Sequence, residues 1–428
     1  MTASLSVLAT GEPHPDVRSD SRDAIHFYRR CSQQGLILSG LTKPGNYTIQ
    51  TLILNIEAEF IWNKGDPVQF YLMAGTTMRL ALQAGLHRDA TKVQSKLTPF
   101  QGEMRRRTWT HLLQVELLAS LQAALPPLGP TIDSDTLPAT NLLDADFGPD
   151  TTMLPPPRPI SEVTPCSYGT FKRGVFLITS KIVLLHHRLE VPKYQVIKDL
   201  DAQLISAYNQ IPAHFLLQLR LLVTDNPDMM IKRLSLALMF HRSRFMLHRK
   251  YLSLPSTTDG YEQSKQASIE ISVEILRLQA LLHEAFMPGG PLVRDRWLLS
   301  ALSMQEFLTA GMIIYQAVDQ HEATDTSPVP FVSRIELIKL LETSHTVWMQ
   351  TDNMSAEMQK AAKLIGLLLI KIGQSDSTRS DQMQNFPSIF GKKVSRWCRN
   401  NADQHTRRAS KCFCTISTTP STNSGYEL

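Results

Sequence analysis

The chain has 428 residues, 43% of them hydrophobic and 19% charged. That balance excludes a disordered or fibrous polymer and leaves room for two or three domain-sized cores or one extended helical assembly. The net charge of +5 is unevenly placed: residues 391–411, GKKVSRWCRNNADQHTRRASK, hold seven Lys/Arg against one Asp, so the rest carries about −1. A body with that balance is excluded as a tracker of nucleic-acid phosphates by charge, so direct DNA binding by this chain alone is doubtful.

Taken in chain order, residues 1–23 read as a loose leader, 24–375 as helical, and 376–428 as a basic, largely disordered tail. The run SLSVLAT is too short for a secretory leader, and LIGLLLI at 364–370 falls short of the roughly 20 apolar residues that cross a bilayer. A soluble, intracellular protein with no membrane partner is expected. Ile49, Leu52, Ile53, Ile56 and Phe60 mark one helix face. The next helix starts with Asp66 as cap and Pro67 at the first position, and stops at Gly85. A third starts at Thr98-Pro99, with Gln101 completing a capping box. Its apolar side includes Met104, His111/Leu112, Val115 and Leu118/Ala119.

Residues 125–166 are dense in Pro and Asp and form no regular element, so they are either a mobile linker or a segment pinned across the surface. Helical periodicity returns at 168–190, 195–210, 228–253, 260–286, 291–320, 331–351 and 354–373. Strand alternation and fixed-period repeats are absent. The expected fold is all-α: a layered array of about ten helices with the Pro/Asp-rich irregular segment packed across it.

Two tripeptides suggest a protein kinase. His87-Arg88-Asp89 matches the start of a catalytic loop, and Asp146-Phe147-Gly148 a magnesium-holding loop. The rest of that machinery is missing. There is no G-x-G-x-x-G, the place of the second magnesium ligand is Gln94, and the upstream sequence is helical where a β-rich nucleotide lobe is required. No G-x-S-x-G, H-E-x-x-H or Walker loop occurs either, so no enzyme is expected and no catalytic residue is assigned.

Metal sites fare no better. Cys31, Cys166, Cys398, Cys412 and Cys414 form no C-x-x-C pair and read as free thiols. His186 and His187 are adjacent and diverge by about 100° on a helix. His241 and His248 share a face with Arg242, Arg244 and Arg249, neighbours that favour an anion or a carboxylate over a metal. Asp133, Asp135, Asp144 and Asp146 lie in Pro-rich turns, where Asp caps its own backbone. No metal and no cofactor is expected in this chain.

Read in order, FYLMAGTTMRLALQAGLHRD, TPFQGEMRRRTWTHLLQVELLASLQAALPP and IDSDTLPATNLLDADF together resemble the fungal-specific transcription factor domain. That domain is the regulatory middle region of fungal activators whose DNA-binding module is a six-cysteine binuclear zinc cluster. The resemblance rests on Gly85 to Asp89, on Glu103, Arg105, Arg106, Arg107 and Trp109, and on Asp135, Thr136, Leu137, Pro138, Asn141, Leu142, Asp144, Asp146 and Phe147. It covers about 65–150, with a looser match at 236–252. Thr110, Glu116 and Ala124 depart from the pattern, and Ala124 in place of a Gly is expected to alter the helix exit.

The resemblance implies a nuclear transcription regulator of RNA polymerase II genes in a fungus, in a metabolic or secondary-metabolite pathway. Residues 1–30 hold no cysteine, so zinc is expected only in a DNA-binding module absent from this sequence, whether dispensed with or encoded upstream. The implied partners are the transcription machinery or a partner DNA-binding regulator, with a small-molecule effector and a homodimer as further candidates. The alternative is a standalone interaction or effector-binding module without direct DNA binding.

The motif residues also have a physical reading of their own. Arg105, Arg106 and Arg107 step by 100° each, so they cannot all face solvent if Trp109 lies in a core. An unpaired buried charge costs several kcal/mol, so carboxylates must meet them. The expected structural cluster is His87, Arg88, Asp89, Glu103, Arg105, Arg106, Arg107, Asp135, Asp144 and Asp146, an ion-pair lattice that pins the Pro-rich segment across the helices. In the tail, Lys392-Lys393 and Arg407-Arg408 form a bipartite nuclear-import pattern, and Arg407-Arg408-Ala409-Ser410 suits a basophilic kinase.

Overall fold

The computed structural model of the chain describes residues 21–38, 40, 45, 47–62, 67–93, 97–217, 226–293, 305–320, 332–350 and 356–378. Among these residues there are eleven α-helices and no sheet. In chain order they are α1 (Ser21–Leu38), α2 (Thr48–Trp62), α3 (Pro67–Gln83), α4 (Pro99–Ala123), α5 (Ser167–His186), α6 (Tyr194–Asn209), α7 (Pro227–Arg249), α8 (Tyr261–Phe286), α9 (Gln305–Gln320), α10 (Arg334–Gln350) and α11 (Ala356–Thr378). No helix among the described residues is long and apolar enough to cross a membrane.

The starts and stops follow local chemistry. Thr98 caps α4 with its hydroxyl on the Gln101 N–H, and the Gln101 side chain returns to the Thr98 N–H. Pro99 occupies the first turn, where its missing donor is harmless. After α3, Gly85 adopts φ +70° and the Leu86 N–H reaches back to the Ala81 carbonyl, which closes the helix. Asp66 lies outside the described residues, as do Lys392, Lys393, Arg407, Arg408 and the rest of the tail beyond 378.

Three apolar clusters stack along the array. Ile56, Met78, Trp109 and Leu112 join α2, α3 and α4. Leu117, Val183, Leu204, Phe215 and Phe240 join α4 to α7. Phe245, Ile275, Ile314, Leu341, Trp348 and Ile365 join α7 to α11. Each such side chain contributes about 1.5–3 kcal/mol on full burial. Successive clusters share a helix, so the layers form one continuous stack.

Two boundaries and one side chain differ from expectation. The periodic stretch 291–320 is not one helix in its described part: 291–293 turn, and the helix spans Gln305–Gln320. The helix Ser21–Leu38 starts inside the stretch read as leader. His111 does not join the apolar side of α4; it is half exposed and pairs with Glu57 at 2.7 Å, because its imidazole finds a carboxylate at the surface.

Candidate functional site

Residues 125–166 run as a strap over α4 and the start of α5, and a polar knot lies beneath it. The helix exit after α3 leaves backbone carbonyls unpaired, and the strap and α4 satisfy them. Arg105 Nη2 donates to the Ala84 carbonyl at 2.9 Å. The Thr136 hydroxyl donates to the Leu86 carbonyl at 2.7 Å, while Ser134 Oγ and the Asp135 N–H both donate to the His87 carbonyl.

Asp89 is the centre. It is fully buried, yet each of its oxygens is engaged. Arg106 grips it with two hydrogen bonds, Nε to Oδ2 at 2.8 Å and Nη2 to Oδ1 at 2.9 Å. The Leu137 N–H, the Thr91 N–H and the Thr91 hydroxyl donate to the same carboxylate. The Arg106 guanidinium holds Asp89 well below the usual carboxylate range, against the upward push of burial. Its own backbone N–H donates to Asp135 Oδ1 at 2.8 Å, and Asp135 also meets Arg88 at 3.2 Å and Lys92 at 3.8 Å.

Glu103, also fully buried, makes the second tie. It accepts Arg107 Nε at 3.2 Å and both the N–H and hydroxyl of Thr140 at 2.9 Å. Arg107 continues outward to Asp144 Oδ1 at 2.7 Å and to the Leu142 carbonyl at 3.1 Å, with the Phe147 ring 4.8 Å away. One arginine therefore bridges α4 to two points of the strap.

Each residue of the expected cluster can now be placed. Asp89, Glu103, Arg106, Arg107 and Asp144 form one connected set, and Arg88 and Asp135 join it through the Asp89 backbone. Among the described residues Arg105 meets no carboxylate; it sits on a helix C-terminus, whose partial negative charge suits a cation, and burial lowers its pKa. His87 contributes its backbone carbonyl, while its ring lies 6.4 Å from that of Trp109. Asp146 pairs elsewhere. Arg158 grips it with two bonds of 2.6 Å and holds it down to about 2, aided by the Leu143 N–H. Asp133 is exposed outside the knot.

Two further anchors lie outside the expected cluster. Asn141 spends its amide N–H groups on the carbonyls of Arg158, Pro159 and Glu162, and its carbonyl accepts Thr164 Oγ1 and Ser167 Oγ. It folds the far end of the strap back onto the start of α5. Arg158 is the second, with Asp146 on one side and Glu162 on the other. Its only signal in sequence was a lone cation within PPPRP, twelve residues after Asp146.

The two aspartates of the kinase-like triplets are clamped by arginines, which leaves neither free to ligate magnesium or take a proton. A second arrangement looks more like catalysis: Ser264 Oγ is 3.3 Å from His248 Nδ1, and Asp201 Oδ2 is 3.6 Å from His248 Nε2. Ser264 is wholly buried, and Arg244 takes both Asp201 oxygens at 2.7 and 2.9 Å. Burial would raise the Asp201 pKa, but the His248 imidazole 3.6 Å away and the two hydrogen bonds from Arg244 hold it at about 2. Asp201 thus meets Arg244 and His248, tying α6 to α7. His241, pushed down to about 4 by burial and then by Arg244, stays neutral. No group of three or more metal-ligating side chains occurs among the described residues.

Residues 6–146 match the model of the family described as the fungal specific transcription factor domain. Similar proteins extend the likeness along the chain. The Zn(2)-C6 fungal-type transcription factor pigI of Monascus ruber is 33% identical over 361 residues, covering 82% of this chain and 44% of that protein. The Zn(2)-C6 fungal-type transcription factor mpsB of Macrophomina phaseolina is 31% identical, covering 85% and 50%. The equisetin cluster transcription factor eqxF of Fusarium heterosporum is 28% identical, covering 90% and 55%. The chain thus spans about half the length of the curated relatives it matches. No solved structure matches it.

Proposed function

We propose that this chain is the helical regulatory region of a fungal transcription regulator of RNA polymerase II genes, controlling a secondary-metabolite or other metabolic pathway from the nucleus. The observation that carries this reading is that relatives aligned over most of the chain are named transcription factors, several of them for biosynthetic clusters. The knot fits the role, since it fixes the strap in one register and so presents one constant surface to partners. The regulatory unit, expected at 24–375, runs in this reading from the start of α1 at Ser21 to the end of α11 at Thr378. DNA is read by a zinc-cluster module or a partner regulator, and zinc belongs there and not to this region. The body works without a catalytic step.

The test is genetic. Deleting the gene is expected to change transcripts of a co-located biosynthetic cluster several-fold, and the full chain fused to a heterologous DNA-binding domain is expected to alter a reporter. Unchanged transcripts together with an inert, well-expressed fusion overturn the proposal. Import rests on Lys392, Lys393, Arg407 and Arg408; removing residues 391–428 is expected to abolish nuclear accumulation, and undiminished accumulation refutes that assignment.

A further inference from the structure

Helix α5 hands the chain to α6 through residues 187–193, HRLEVPK, and both ends of that turn are bolted to the end of α7. The Lys250 ammonium donates to the Arg188 carbonyl at 3.3 Å, and the Tyr251 hydroxyl donates to the Pro192 carbonyl at 2.6 Å. Tyr251 is itself buried, with the Tyr194 ring 5.4 Å away. Between the bolts the turn carries Leu189, 98% exposed, and Val191, 48% exposed. A loop free to move would turn such side chains inward, because water disfavours apolar surface; the two bolts hold these outward. Pro192 and Lys250, one from each bolt, also wall an apolar cavity of about 10 Å³ together with Ile182, Leu185 and Met246. It has room for about one methyl group.

The rim of this apolar face is cationic. Residues 181–199 hold Lys181, Arg188, Lys193 and Lys198 against Glu190 and Asp199, residues 246–251 add Arg249 and Lys250, and Asp259 beside Tyr251 takes one charge back, a local +3. The chain outside 391–411 carries about −1, so the face stands out from its surroundings. Lys181, Arg188, Lys193 and Lys198 are exposed, and among the described residues none of the four pairs with a carboxylate. Asp199 is engaged by Gln195 at 2.7 Å, and the Lys198 ammonium lies 5.9 Å from the Tyr194 ring. We propose that this face docks an acidic segment of a partner protein that carries aliphatic side chains. The partner's carboxylates meet Arg188, Lys193 and Lys198, while its aliphatic groups cover Leu189 and Val191 and reach into the cavity. Charge and apolar exposure select this partner together. Nucleic-acid phosphates would use the cations but gain nothing from Leu189, Val191 or the cavity, and a long polyanion would also meet the negative remainder of the body. A neutral apolar partner would bring no charge to the four unpaired cations. Because the bolts fix the turn beforehand, docking orders little of the chain.

The experiment adds a fluorescein-labelled peptide of Asp-Asp-Leu repeats to the full chain and reads anisotropy, with Asp-Asp-Ser and Lys-Lys-Leu peptides alongside. Carbodiimide coupling and peptide mass spectrometry locate the bound peptide. Asp-Asp-Leu is expected to bind several-fold tighter than Asp-Asp-Ser and to couple to Lys181, Lys193 or Lys198. Arg188→Glu with Lys193→Glu is expected to weaken it about tenfold, two exposed pairs being lost and reversed. The same pair of changes is expected to favour Lys-Lys-Leu over its binding to the natural chain, with an unaltered circular dichroism spectrum. Leu189→Ser is expected to weaken Asp-Asp-Leu about threefold through lost apolar cover. Equal binding by the charge-reversed chain overturns the proposal, as does coupling confined to Lys392 and Lys393 of the tail. So does a short DNA duplex, or a phosphatidylserine vesicle, that binds tighter than the peptide and loses as much on the same reversal.

Discussion

The two ends of the array are held by different physics. Around α2 to α5 a modest apolar cluster is overlain by a strap whose path is set by Asp89, Glu103, Arg106 and Arg107. From α7 to α11 a continuous apolar core runs through all five helices, and polar pairs such as Arg277 with Glu274 and Glu336 lie at its exposed margin. Buried pairs add little net stability but penalise every arrangement that separates them, whereas apolar burial adds stability and tolerates repacking. The strap half is thus specified by partners and the other half by volume.

Arg106→Ala tests the first half most severely, because it leaves Asp89 charged and buried. The expected loss is about 3–5 kcal/mol in urea unfolding. The double replacement Asp89→Leu with Arg106→Met is expected to lose less than Arg106→Ala alone, since no lone charge remains. A single-mutant loss under about 1 kcal/mol would show that the knot does not hold the strap. In the other half, Leu341→Ala is expected to cost about 3 kcal/mol and Leu341→Met under about 1.5 kcal/mol. Equal losses from those two would show that volume is not what matters there.

The same division governs what could be read from residues. The helices were legible because caps and apolar spacing are local: Thr98-Pro99 and Gly85 act within a few residues of themselves. The knot was legible in kind because three adjacent arginines on a helix beside a buried tryptophan cannot all face solvent. Which carboxylate meets which arginine was not, because that depends on the path of the strap. Asp146 turned to Arg158 because its own turn brought a cation closer than α4 did. Arg105 needed no acid because a helix end, invisible as a charge in the sequence, served instead. Asn141 stood in the motif without a role, since its five bonds run to carbonyls and hydroxyls.

Acid separates the halves in a second way. Asp89 and Asp135 are held below their ordinary range and Asp146 at about 2 in the folded chain. Groups with a lowered folded pKa contribute stability that is complete above the unfolded value near 4 and is lost as pH falls toward the folded one. The strap should therefore loosen between about pH 4 and about pH 2. Amide exchange, corrected for intrinsic rate, is expected to show 86–91 and 134–147 losing protection at pH 3 relative to pH 5 while 269–285 keep theirs. Asp201, also at about 2, adds a smaller loss at the α6–α7 seam. Uniform loss across the chain would contradict a strap held by ionised carboxylates.

The smallest expected effect sits where α4 hands the chain to the strap. Ala124 takes φ 52° and ψ 44°, a left-handed conformation, and its N–H reaches the Ser120 carbonyl. The changed residue did not divert the exit: the chain keeps the conformation that a glycine adopts freely. Two neighbours fix it there, the Leu125 N–H on the same Ser120 carbonyl and buried Glu116, which accepts the Leu128 N–H at 2.7 Å. A side chain in that region costs about 1–2 kcal/mol, and the greater freedom of an unfolded glycine returns about 0.4–1 kcal/mol of the difference. Ala124→Gly is accordingly expected to stabilise the chain by about 0.5–1 kcal/mol in urea unfolding. The gain should persist in the Arg106→Ala background, because the exit is held by backbone bonds and Glu116 and not by the knot. A gain that vanished there would tie the exit to the ion pairs and merge two parts of the strap that the hydrogen bonds keep separate.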